Sequence, residues 1–145
     1  MGKVTKKEFI SQYIKKQSES IAKKFPDDFI SPTSVKRLEI PQKTLVLSDE
    51  FFGQYEILTT EGAPVLQAEN IYIAKYVIYA SKNRISPIAI PENDNEIRTA
   101  VESYERHLDL ILMNIKESFR KYFLDSPDIN SVSSEIFTKL NLVRY

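Results

Sequence analysis

The chain has 145 residues, 42% apolar and 28% charged, with only 3 Gly and 7 Pro; this excludes disordered, collagen-like and mucin-like classes and predicts one domain with its own core. Twenty basic and twenty acidic residues give a formal charge of zero, so bulk attraction to polyanions is not expected. Zero Cys and one His remove most or all of the raw material for disulfides, thiolate nucleophiles, zinc fingers, Cys-bound clusters and a Ser-His-Asp triad.

The N-terminal stretch does not read as a targeting signal. Lys15, Lys16, Lys23 and Lys24 interrupt the region where a signal peptide needs an unbroken apolar run. The runs Ile71 to Ala80 and Leu108 to Ile115 are too short to span a bilayer and carry Lys75 and Asp109. A cytoplasmic protein without membrane contact is expected.

Thr5 followed three residues later by Glu8 has the form of a capping box and predicts a helix over about 6–24. Phe9, Ile10, Tyr13, Ile14, Ile21 and Phe25 give it an apolar stripe, and lysines cover its outside. Pro26-Asp27-Asp28 stops it, and 25–42 reads as a connector. Thr44 to Leu47 and Tyr55 to Thr59 read as strands of a hairpin joined by a loop, with Phe51 and Phe52 tucked into the core. Pro64 to Asn83 reads as a helix beginning at the proline, with short strands in 71–79 as the competing pattern. Ile85 to Ile90 is extended, and Pro87 and Pro91 confine it to an edge.

The clearest element is a helix from Asp94 to Phe123, opened by Asn93 and Glu96. Ile97, Val101, Tyr104, Leu108, Ile111 and Ile115 recur in alternating steps of four and three, and Phe119 and Phe123 continue the stripe. A stripe this wide suits either the central helix of a domain or a helix shared between its own domain and a dimer partner, and the second reading makes Val101, Tyr104, Leu108, Ile111, Ile115 and Phe119 the expected oligomer interface of a homodimer. Ser126-Pro127 ends the helix, a short one follows from Ser133 or Ser134 to Leu140, and Leu142, Val143 and Tyr145 dock on the body. The expected fold is a small α+β single domain over 1–145: a short antiparallel sheet packed by the long helix of the C-terminal half and by the basic N-terminal helix. A mostly helical variant is the alternative. Within it lie the helix, the connector and a core over 43–145.

Catalytic patterns are missing from the sequence. Gly2, Gly53 and Gly62 form no phosphate-binding loop. A di-iron bundle needs two Glu-x-x-His motifs, whereas position 104 is Tyr and His107 is the one His, so His107 reads as an ordinary packing or solvent-facing residue of the helix. Asp27-Asp28 and Asp49-Glu50 are turn carboxylates without calcium-loop spacing. No catalytic residue, cofactor or metal is expected, and a small enzyme is the weakest reading.

Charge distribution says more than total charge. Residues 1–43 carry ten basic and five acidic side chains, and the remainder carries ten and fifteen. The basic side chains gather as Lys6, Lys7, Lys15, Lys16, Lys23 and Lys24 around the first helix and as Lys36-Arg37 beyond it; these eight are the expected partner-binding residues. The resulting reading is a non-enzymatic protein-interaction or oligomerisation domain, an adaptor or regulatory subunit. The alternative is a nucleic-acid-associated regulator in which the same lysines, with Lys75, Lys82 and Arg84, touch phosphates.

Overall fold

The computed structural model describes residues 4–21, 25–27, 29, 34–51, 54–82, 86–142 and 144–145, with the backbone alone at 18–21 and 49–51. The elements in chain order are α1 (Lys6–Ile21), β1 (Val35–Leu38), β2 (Leu45–Phe51), β3 (Gln54–Thr59), β4 (Pro64–Ala68), α2 (Ile71–Ser81), β5 (Ile88–Pro91), α3 (Asp94–Tyr122) and α4 (Ile129–Lys139). This is a small α+β chain with two short antiparallel sheets, an N-terminal helix and a long C-terminal helix. Its backbone clusters into two compact units, Met1–Lys23 with Glu105–Arg144, and Lys24–Tyr104 with Tyr145.

The mixed unit holds both sheets. β2, β3 and β4 form a meander, and β1 pairs with β5 in a two-stranded ribbon. The β2–β3 hairpin is where the sequence puts it, but β2 runs on through Ser48-Asp49-Glu50 because the pairing shifts between Leu47 and Glu50, and a bulge accommodates the polar triplet. Phe51 is therefore the last residue of that strand, and Phe52 lies outside the described residues. β3 turns into β4 at Gly62, whose φ of 90° suits a residue without Cβ; its N–H donates to Thr59 O at 2.9 Å.

Two expectations are corrected here. The helix predicted from Pro64 begins only at Ile71, because Pro64–Ala68 pairs with β3 and the Asn70 side chain caps the helix by accepting the Ile73 N–H at 3.0 Å. The connector over 25–42 contains β1, whose Lys36 and Arg37 hide a strand that only its partner Ile88–Pro91 defines.

The core of this unit is aromatic. Tyr76 and Tyr79 of α2, Tyr104 of α3 and Phe25 from the turn ahead of β1 approach with ring centroids 4.8–5.0 Å apart for Phe25–Tyr76, Tyr79–Tyr104 and Phe25–Tyr104. Tyr76 Oη donates to Ala89 O at 3.0 Å, so the buried hydroxyl is satisfied while fixing α2 to β5. Burial pushes the Tyr104 phenol up to about 12. Tyr145 docks as expected, its N–H donating to Tyr79 Oη at 3.1 Å and its hydroxyl to Leu45 O at 3.4 Å.

The helical unit contains α1, the later turns of α3, and α4. Asn93 caps the start of α3 by accepting the N–H groups of Asn95 and Glu96 at 2.8 and 3.4 Å. α4 begins at Ile129, ahead of the predicted Ser133, and buries Val132, Ser133 and Ile136. Among the described residues no helix is long and apolar enough to cross a membrane.

Candidate functional site

Thr5 caps α1 where the sequence predicts: the Glu8 N–H donates to Thr5 Oγ1 at 3.1 Å, and that hydroxyl donates to Glu8 Oε1 at 3.2 Å. The cap aims the apolar side of α1, Phe9, Ile10 and Tyr13, into the helical unit, where all three are buried. Phe9 meets Phe119 edge-on at 5.5 Å and Phe123 edge-on at 6.2 Å, while Phe119 and Phe123 stack at 4.9 Å. Tyr13 Oη donates to Asn114 Oδ1 at 2.6 Å, and burial raises its pKa, which keeps the hydroxyl a donor.

This packing leaves a groove of about 200 Å³ between α1 and the end of α3. Phe9 and Tyr13 form its base; Gln12, Lys16 and Gln17 line the α1 side, and Ser118, Lys121 and Tyr122 the α3 side. Lys16 and Lys121 are exposed, and Tyr122 is 59% exposed beside them. Among the described residues no carboxylate lines the groove. Two ammonium groups with amide and hydroxyl neighbours make a place for an anionic group with an apolar edge against it. No family model matches the chain, and no curated protein or solved structure does either.

Among the described residues of α1, the lysines expected to bind a partner stand in different surroundings. Lys16 lines this groove. Lys6 is engaged by Asp128 and stands over the Phe123 ring at 5.9 Å from its centroid. Lys7 lies on the α4 side of α1, beside Glu135 and Lys139, which pair at 3.6 Å. Lys15 points outward. Lys36 and Arg37 are exposed on β1 of the mixed unit. Lys23, Lys24 and Arg84 lie outside the described residues.

The expected oligomer interface is interior. Val101, Tyr104, Leu108, Ile111, Ile115 and Phe119 are each 4% exposed or less in the single chain, so the stripe is consumed by the chain's own packing. Besides Tyr122, α3 leaves Leu110 and Met113 in water, 64% and 56% exposed, by helical spacing on the side opposite the stripe. His107 is half-buried on α3. Among the described residues no three His, Asp or Glu side chains gather as a metal site.

Gln12, Ser118, Lys121 and Tyr122 were not singled out by sequence. A signal existed: Tyr122 is an aromatic residue off the Phe119–Phe123 stripe, directly after Arg120-Lys121.

Proposed function

We propose that this chain is a non-enzymatic protein-binding domain, an adaptor or regulatory subunit, whose α1–α3 groove receives an acidic segment of a partner protein. One observation carries the reading: Lys16 and Lys121, from helices far apart in sequence, border one groove whose described lining includes no carboxylate. Neither ammonium is held by an ion pair among the described residues, so a partner's carboxylate meets cations not already neutralised. Phe9 at the base and Tyr122 at the rim favour a segment that places an apolar side chain beside its acidic ones. A nucleic-acid track is less well supported, because continuous phosphate contact needs a series of cations and the groove offers two among the described residues.

The test is fluorescence anisotropy with a labelled, glutamate-rich peptide containing one leucine, run against a labelled single-stranded oligonucleotide. The peptide is expected to bind, more weakly as salt rises, and the double variant Lys16→Glu, Lys121→Glu to weaken it about tenfold or more. Absence of peptide binding contradicts the proposal. Tighter binding of the oligonucleotide, lost in the same variant, overturns it in favour of a phosphate-binding role.

A further inference from the structure

The mixed unit carries a second concavity with the opposite charge. In the β1–β5 ribbon Lys36 stands opposite Ile90 and Leu38 opposite Ile88, so Lys36, Leu38 and Ile90 share one face. That face borders a cleft of about 330 Å³, with Leu66, Gln67 and Ala68 of β4 lining it too and Ile73 and Ile97 contributing from α2 and α3.

Three successive β4 residues line the cleft. Side chains alternate along a strand, so a cleft touching residues 66, 67 and 68 borders the edge of the strand as well as one face. β4 pairs with β3 on one side, and among the described residues no strand pairs with it on the other. Such an edge presents backbone donors and acceptors that an added strand satisfies.

The rim identifies the occupant's charge. Glu69, Glu92 and Asp94 are exposed at the cleft, against one cation, Lys36, among the described residues. None of the three carboxylates is held by a side-chain ion pair among the described residues. The walls contributed by Leu38, Leu66, Ile90 and Ile97 are aliphatic.

The geometry points to a peptide-binding cleft in which an extended partner segment adds to the β4 edge, seats an aliphatic side chain between Leu66 and Ile90, and places Lys or Arg against Glu69, Glu92 and Asp94. Main-chain bonds along β4 supply general affinity, the aliphatic pocket selects alternate side chains, and the acidic rim excludes acidic sequences. This cleft is independent of the lysine groove of the helical unit and asks for a partner of opposite charge.

The test uses the full chain, isotope-labelled, titrated with a short peptide alternating valine and lysine and followed by amide NMR. Binding is expected to slow hydrogen exchange at the β4 amides and to weaken about tenfold or more in the exposed-site variant Glu69→Lys, Glu92→Lys, whose fold is checked by circular dichroism. A peptide with serine in place of valine is expected not to bind. Equal binding of the serine peptide overturns the proposal, since the rim alone would then act. So does equal binding of a valine-sized aliphatic amine without a peptide backbone, or peptide binding that leaves β4 exchange unchanged.

Discussion

In the helical unit the Tyr13 hydroxyl donates to the side-chain oxygen of Asn114 at 2.6 Å, a bond between residues that stand on different helices and far apart in sequence. It holds α1 against the second half of α3 and fixes Tyr13 at the base of the lysine groove. Asn114 is on the solvent side, so water can partly replace the phenol.

Tyr13→Phe is therefore expected to cost about 1 kcal/mol in urea unfolding, with the helical circular dichroism spectrum unchanged. An unchanged midpoint would show that the bond does not hold α1 in place.

Phe119 is fully buried between Phe9 and Phe123, whereas Leu110, on the same helix, is 64% exposed. Phe119→Ala is expected to destabilise by about 3–5 kcal/mol and Leu110→Ala to stay within about 0.5 kcal/mol. Comparable losses in chemical denaturation would contradict the assignment of core and solvent faces on α3.

Tyr104 lies among Phe25, Phe29 and Tyr79, and burial raises its phenol to about 12. The unfolded chain ionises it near its ordinary value of about 10. Above that pH the unfolded state loses a proton that the folded state keeps, so stability is full below about pH 10 and falls as pH rises toward 12. The contribution of this one group is roughly 2–3 kcal/mol. Urea midpoints measured between about pH 9 and about pH 11 are expected to fall, and to fall less in Tyr104→Phe. Burial raises Tyr76 in the same direction, so part of the slope remains in the variant. Identical slopes would contradict a buried, neutral Tyr104.

Legibility in the residue order differs by element, for physical reasons. α3 is readable because its apolar period repeats over 29 residues and Asn93 supplies a local cap. α1 announces itself through Thr5 and Glu8. The start of α2 is also written locally, in Asn70, but Pro64 offers an equally plausible helix start and only pairing with β3 turns that stretch into a strand. β1 is four residues with two charges at its centre, and nothing short of its distant partner reveals it. The α3 stripe shows a second ambiguity: one periodicity serves a core or an oligomer face, and the chain's own burial of Val101 to Phe119 decides it. Of the candidate groove, Lys16 could be chosen from charge clustering. Its pairing with Lys121 and Tyr122 is tertiary, and no local pattern encodes it.

The most direct test of the groove's proposed role is amide NMR of the full chain titrated with the glutamate-rich, leucine-containing peptide. Saturable shifts concentrated at Gln12, Lys16, Ser118, Lys121 and Tyr122, reduced by salt and abolished in Lys16→Glu, Lys121→Glu, are the expected result. Shifts absent from these residues, or unchanged by the double charge reversal, would contradict an acidic partner segment seated between α1 and α3.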